Sequence, residues 1–219
     1  MNFLQSAGSV TDCTPAVQAE GGGSSPTPAL QSYRFGLGRS VEVVPFIKQH
    51  HYSHSMSGVQ YKYLFEARLG AELVGAAVFG MPASSRCWMT YGTLPIEIAE
   101  LRRFVCIDDT PKNFESKFLG FCLRWLRLNS NYKKVVSYAD PAHNHVGIIY
   151  KATNFKFIGV TALTKQILFE GRLCHRKSLH AGPKTDRRAY SFLLAEALKD
   201  GRAIWVTGPG KNIYLYNLK

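Results

Sequence analysis

The segment that most constrains the fold is 113–129, NFESKFLGFCLRWLRLN. Its apolar residues recur every three or four positions, which predicts an amphipathic helix, with Asn113 placed to cap the N-terminus. Strand-like segments lie on both sides, at 98–107 and 133–140. A helix that joins two strands and has one apolar face is expected to pack on a sheet. The apolar residues are Phe114, Phe118, Leu119, Cys122, Leu123 and Leu126.

Other segments continue this alternation. Two runs rich in aromatic and β-branched residues are separated only by Gly70-Ala71, which predicts a β-hairpin. The predicted elements are a helix over 40–51, the hairpin over 61–69 and 72–80, a helix over 144–153, and a closing pair of strands over 155–160 and 164–169. The predicted class is α/β, of the α+β mixed kind, with a mixed central sheet and flanking helices.

Positive charge is concentrated toward the end of the chain. The formal net charge is +12 at pH 7, which usually indicates a polyanionic partner such as nucleic acid. From Lys165 onward there are eleven Lys and Arg against four acidic residues. A solvated basic face without a partner is the alternative. The predicted contacts to double-stranded DNA are Arg172, Arg176, Lys177, Lys184, Arg187 and Arg188.

Composition divides the chain into three parts. Residues 1–38 include GGGSSPTP and predict a disordered N-terminal arm, because such a stretch cannot bury enough apolar surface. We expect a catalytic core over 39–168 and a basic extension over 169–219 that packs on it. Five cysteines without close paired spacing argue against a disulfide framework. With no signal-like start and no long apolar segment, we expect a cytoplasmic protein without a membrane partner.

Polar residues that could act in catalysis fall at the ends of predicted elements. His51 and Tyr52 follow the first helix, where a histidine can take up a proton near neutral pH and a tyrosine can donate to a developing oxyanion. Together with His54 and Asp140, His51 could instead provide the two histidines and one carboxylate of a metal site. No local pair has a diagnostic ligand spacing, so the metal reading stays an open alternative.

Arg103 is predicted to lie in a strand. Strict alternation puts it on one face with Leu101 and Val105. An arginine on an apolar face needs an anionic partner, which could be an oxyanion of the reaction, Glu100 or Asp140. Period alone leaves open whether Arg103 or its neighbour points inward.

The stretch SYADPAHNHVGIIYKATNF, residues 137–155, joins a strand to a predicted helix. Asp140 ends the strand at its carboxyl side, the edge at which open α/β sheets bind ligands. His143 and Tyr150 are seven residues apart, which in a helix places them on the same face. These residues predict a catalytic end of a strand followed by a helix that faces the donor.

The order of elements resembles the GNAT acyltransferase fold. Three motifs in order, HHYSHS, ELRRFVCIDDTPKNFESKFLGFCLRWL and SYADPAHNHVGIIYKATNFKFIGVT, resemble the Mom family of phage DNA-modification proteins. The resemblance implies conversion of the exocyclic amine of adenine in duplex DNA to a carbamoylmethylamino group, in the host cytoplasm, which protects phage DNA from restriction. It also implies that Tyr150 stands where many GNAT enzymes keep a tyrosine that protonates the leaving group.

The donor is less clear from the sequence. Users of acetyl-coenzyme A place a glycine-rich turn at the start of the central helix, whereas here the turn reads TPKNFES without a glycine. Coenzyme A is therefore the less favoured donor. An activated acyl donor such as glycyl-tRNA suits a strongly basic protein better. The predicted donor-binding residues are Lys112, Asn113, Ser116 and Asn154.

Two further functions remain open at this point. One is a non-catalytic DNA-binding protein on an acyltransferase-like fold, which would not need the five catalytic candidates to converge. The other is an acetyltransferase acting on a protein or a small amine, which the glycine-free turn and the basic tail disfavour.

Overall fold

A computed structural model of the chain describes residues 33–84, 87–143, 145–180 and 187–219. Most of the predicted arm over 1–38 therefore lies outside the described residues. Within its last part, however, β1 (Tyr33–Leu37) pairs antiparallel with residues 65–69. The prediction of disorder is wrong for these residues, because Tyr33 and Phe35 pack against Phe114, at ring-centroid distances of 4.6 and 5.5 Å.

In the described part of the chain, the central sheet has seven strands, in the order β1, β2, β3, β4, β5, β10, β6. All neighbours pair antiparallel except β4 and β5, which are parallel. The predicted hairpin is confirmed as β2 and β3. After β1, the strands are β2 (Tyr63–Leu69), β3 (Glu72–Gly80), β4 (Ile98–Cys106), β5 (Lys134–Ala139), β6 (Lys156–Val160) and β10 (Asn212–Asn217).

Helices cover both faces of this sheet. The predicted central helix is confirmed as α3, and its buried Phe118, Leu119 and Leu126 pack against one face. On the other face, Val43 and Ile47 of α1 pack on β2 and β3. The helices are α1 (Ser40–His50), α2 (Cys87–Thr90), α3 (Phe114–Asn129), α4 (Ile148–Ala152) and α5 (Arg187–Lys199). None of the described helices is long and apolar enough to cross a membrane.

Beyond the end of β6 the chain forms a second, three-stranded sheet. It contains β7 (Thr164–Phe169), β8 (Arg172–His175) and β9 (Ala203–Gly208), with β7 in the middle. One face is covered by α5, whose Leu194 packs in the same buried cluster as Ile167 of β7. The predicted pairing of 155–160 with 164–169 is wrong, because β6 pairs with β10 instead.

The last strand explains that difference. Tyr214 and Tyr216 of β10 supply aromatic partners for Phe157 and Phe155, at centroid distances of 5.7 and 5.2 Å. Because β10 lies between β5 and β6, the predicted boundary at residue 168 is also corrected: the basic extension provides an interior strand of the core sheet.

β4 and β5 separate at the middle of the sheet, which creates the candidate site. Their parallel pairing begins with Ile98 opposite Lys134 and ends with Glu100 opposite Val136, after which these two described strands are no longer paired with each other. Beyond it, a β-bulge interrupts the β3–β4 ladder at Arg102. The two strands diverge from this point toward their carboxyl ends.

The bulge also corrects the predicted faces of β4. Leu101 packs in the same cluster as Phe104 and Cys106, whereas Val105 packs in the cluster of α1. The extra residue shifts the period by one, so Leu101 and Val105 face opposite sides of the sheet.

Candidate active site

A cavity of about 230 Å³ lies in the gap between β4 and β5. Its wall includes all five residues predicted to be catalytic: His51, Tyr52, Arg103, Asp140 and Tyr150. They come from the loop after α1, from β4, from the end of β5 and from α4. Residues that the sequence reasoning did not select also line it, among them Arg102, Glu115, Tyr138, His145 and Gly147.

His51 is buried directly after α1, with 6% of its surface exposed. Its Nδ1 accepts the backbone N–H of Ser53 at 3.1 Å and lies 2.9 Å from the Ser53 hydroxyl. Burial, with smaller contributions from Arg103 and His145, lowers the pKa of His51 to about 4. The ring is therefore neutral near pH 7, and since Nδ1 is an acceptor the proton resides on Nε2. In this tautomer Nε2–H is a hydrogen-bond donor, and the role of His51 as a base stays a prediction.

Arg103 is fixed by backbone carbonyls. Its Nε donates to the oxygen of Ser55 at 3.1 Å, and an Nη1 proton goes to the oxygen of Arg102 at 2.7 Å. The alternative of an ion pair with Glu100 or Asp140 is not realised, because Glu100 pairs with Arg102 at 3.4 Å and Asp140 pairs with Lys211 at 2.9 Å. Among the described acidic residues, none forms an ion pair with Arg103. Its guanidinium therefore remains able to bind an anionic group in the cavity.

Asp140 is held as a carboxylate by Lys211, a residue the sequence reasoning missed. The two form an ion pair of 2.9 Å, and Oδ1 accepts the N–H of Ala142 at 3.1 Å. Burial alone raises the pKa of Asp140, but Lys211 and the Ala142 N–H outweigh it and hold this pKa below its usual value. The backbone of Lys211 is itself fixed by Thr161: its oxygen accepts the Thr161 N–H and its N–H donates to the Thr161 hydroxyl, each at 2.9 Å.

Tyr150 lies in α4, and burial raises its pKa to about 12. The nearby Ser137 hydroxyl lowers this pKa in part, and Tyr52 raises it. Tyr150 thus stays protonated at neutral pH, as a proton donor requires. The helix begins at Ile148 and not at residue 144 as predicted. His143 therefore falls in a separate 3₁₀ turn and does not share a helix face with Tyr150.

Four rings form a contiguous aromatic column beside the cavity. Ring centroids of Tyr52 lie 4.3 Å from His51, 4.5 Å from His143 and 5.0 Å from His145. Exposure rises along the column, from 6% at His51 to 44% at Tyr52, and both outer histidines are exposed. The loop after α1 and the loop after β5 therefore meet through these rings.

The structure does not bring the predicted donor-binding residues to the cavity wall. Asn113 precedes α3 with a left-handed φ of 65° and makes no side-chain capping bond, while Ser116 donates to its carbonyl at 2.9 Å. Asn154 has a φ of 64° just after α4. Lys112 lies in the turn before α3. The residue of α3 that lines the cavity is Glu115.

The predicted DNA contacts lie on the second sheet and its helix. Arg172 is in β8, and Arg176 and Lys177 begin a 3₁₀ turn. Lys184 lies outside the described residues, and Arg187 and Arg188 open α5, where the description does not extend to their side chains.

The charged side chains of this 3₁₀ turn act on the histidine that precedes it. Burial and the positive charges of Lys177, Lys211 and Arg176 lower the pKa of His175. His175 is therefore close enough to Lys211, the partner of Asp140, for their charges to interact.

The alternative metal site is not assembled in the described part of the chain. There, no group of three or more His, Cys, Asp or Glu side chains is arranged to hold a metal ion. The Nδ1 of His54 lies 3.0 Å from the carbonyl oxygen of Lys48.

Comparisons with known proteins agree with this architecture. A probable acetyltransferase from Staphylococcus epidermidis has a TM-score of 0.50 at 9% identity, over 86% of this chain and all of that one. A GNAT family acetyltransferase from Elizabethkingia anophelis, solved with acetyl-CoA bound, has a TM-score of 0.49 at 10% identity, over 84% of this chain and 97% of that one. The fold is GNAT-like, with a mixed sheet and flanking helices.

The sequence comparisons give the family. The protein of Escherichia phage Mu named methylcarbamoylase mom is 33% identical over 117 residues, 52% of this chain and 48% of that protein. The match thus spans about half the length of that relative. A profile described as the Mom protein family matches residues 38–219. The chain belongs to the Mom protein family.

Proposed function

We propose that the protein transfers an activated acyl group to the exocyclic amine of adenine in duplex DNA, and that the product is a carbamoylmethylamino group that protects phage DNA from restriction in the host cytoplasm. The observation that carries the proposal is the convergence of five polar residues from distant segments on one cavity in a Mom-family chain. A DNA-binding protein without catalytic activity would not require this convergence.

The charges and protonation states support a division of roles. The adenine amine attacks the carbonyl carbon of the donor, and the oxyanion that forms accepts hydrogen bonds from Arg103 and from Nε2–H of His51. The carboxylate of Asp140 accepts the proton that the amine loses. When the bond from carbonyl carbon to leaving oxygen breaks, Tyr150 protonates that oxygen. Tyr52, between these groups, donates to the oxyanion or orients the base.

The proposed donor is an activated glycine, with glycyl-tRNA as its source. Carbamoylmethyladenine is an isomer of adenine acylated by glycine. After acyl transfer, the free glycyl amine attacks the ring carbon through a five-membered transition structure. The bond from that carbon to the original nitrogen breaks, and this nitrogen gains the proton that the amine loses and becomes the carboxamide. The turn before α3 carries no glycine, so it lacks the residue that lets bare backbone amides approach a pyrophosphate closely.

Mass spectrometry of nucleosides from cells that express the protein tests the reaction. Wild type is expected to yield carbamoylmethyladenine, and Tyr150→Phe to lower the yield by about 10²- to 10⁴-fold, the usual contribution of a general acid. Tyr61→Phe is the matched control, since Tyr61 is an exposed tyrosine that is not among the cavity-lining residues. Absence of the product from wild-type samples, with DNA binding intact, would favour the non-catalytic alternative.

The rearrangement has its own test. DNA that carries ¹⁵N at the adenine amine is modified and then digested to nucleosides. The label is expected in the carboxamide. Label that stays on the ring carbon would exclude the rearrangement while leaving adenine modification itself intact.

A further inference from the structure

The aromatic column of His51, Tyr52, His143 and His145 is larger than the proposed chemistry requires. The reaction uses two of its members, His51 and Tyr52. His143 and His145 are exposed, and the proposed reaction assigns no role to their rings. Their ring contacts are to Tyr52.

The column is held in place by its own loops. The carbonyl oxygen of Asp140 accepts the N–H groups of His143 and His145 at 3.0 and 3.2 Å. On the other side, the N–H of His54 donates to the oxygen of His51 at 2.8 Å. Because both backbones are fixed, the exposed rings present a stacking surface that requires little ordering when a planar ligand binds.

The position of the column favours a nucleobase as that ligand. His51, Tyr52 and His145 are part of the cavity wall, so the column leads from the surface to the reacting groups. The cation near its base, Arg103, suits a ligand that carries phosphates. An adenine whose amine is paired in a duplex must leave the stack before it can react, and enzymes of this kind stack the extruded base on aromatic side chains.

We propose that the exposed end of the column, His143 and His145, is a stacking site for an unpaired purine of the DNA substrate. The proposal rests on the proposed function, since it assigns the partner of the same cavity. Stacking is sequence-tolerant because every base has a π face, so the site contributes affinity for an extruded base without selecting its neighbours.

The test uses the full chain and two single-stranded probes of equal length, an oligodeoxyadenylate and a backbone of abasic sites. Wild type is expected to bind the adenine strand about tenfold more tightly than the abasic strand. His143→Leu with His145→Leu should abolish this preference while affinity for the abasic strand is unchanged. His143→Phe with His145→Phe retains the rings and should keep the preference.

Two results would overturn the proposal. One is a leucine variant that still prefers the adenine strand. The other is a phenylalanine variant that loses the preference together with the leucine variant, because the imidazole nitrogens and not the rings would then be responsible. Single leucine variants at each position, with circular dichroism, keep the test valid if the double variant does not fold. The proposed reaction fails separately, by absence of modified adenine in the nucleoside assay.

Discussion

The residue before α4 offers a quantitative test of how the site is built. Gly147 has a φ of 81°, and a Cβ placed there would overlap the ring and hydroxyl of Tyr214. That tyrosine is 2% exposed and donates to the carbonyl of Val146 at 2.9 Å, so it cannot move aside easily. Gly147→Ala should therefore strain both the backbone and the packing at the cavity wall.

The two costs can be added. A side chain in the left-handed region costs about 1–2 kcal/mol, and overpacking costs about 1–3 kcal/mol, so we expect Gly147→Ala to lower the free energy of unfolding by about 2–5 kcal/mol. At roughly 2–4 °C per kcal/mol for a chain of this size, Tm should fall by roughly 4–20 °C. Urea denaturation and calorimetry measure both quantities.

A matched control lies in α3. At Gly120, a Cβ would meet only Arg124, at 3.5 Å. Gly120→Ala is expected to raise stability by about 0.5–1 kcal/mol, as usual for glycine inside a helix. A Gly147→Ala protein within about 0.5 kcal/mol of the parent, which is the usual range for surface substitutions, would refute the reasoning. A double-mutant cycle with Tyr214→Leu then separates the packing cost from the backbone cost.

Three further outcomes follow from charge. Lys211 holds the pKa of Asp140 low, so Lys211→Gln should raise it and move the acid limb of the kcat/KM profile to higher pH, whereas Lys211→Arg should not. Because the pKa of His51 is lowered to about 4 in the fold, the unfolded chain binds an extra proton below a pH of about 6.5. The free energy of unfolding should therefore decrease as the pH is lowered from about 6.5 to about 4. His51→Gln should lack this decrease in urea titrations at each pH. Charge reversal at Arg176 and Lys177 should flatten the salt dependence of DNA affinity by about one unit of slope per lost phosphate contact, and an unchanged slope in binding titrations would identify a merely solvated face.

Sequence patterns predicted those elements whose signal lies within a short stretch of the chain. The spacing of apolar residues located α3, and a two-residue turn located the β2–β3 hairpin. The bulge at Arg102 was invisible to a period-two argument, because one extra residue leaves no mark in composition. The partner of β6 was missed because it lies more than fifty residues further along the chain.

The site residues also divide into those with a local sequence signal and those without one. His51, Asp140 and Tyr150 could be proposed because each falls at an end of an element next to a recognisable motif. Lys211 gave no such signal, since its role depends on a loop that tertiary structure brings to Asp140. The tautomer of His51 depends on one backbone N–H, which no sequence pattern encodes.

The position of β10 has a consequence for how the chain folds during synthesis. Within the described residues, β10 is the only neighbour of β6 in the central sheet, yet β10 is made some fifty residues later. Until it emerges from the ribosome, the exposed Phe157, Ile158 and Val160 of β6 form a strand without a partner, the kind of segment that aggregates. Slowed translation between β6 and β10 should therefore lower the soluble yield more than the same delay before β6.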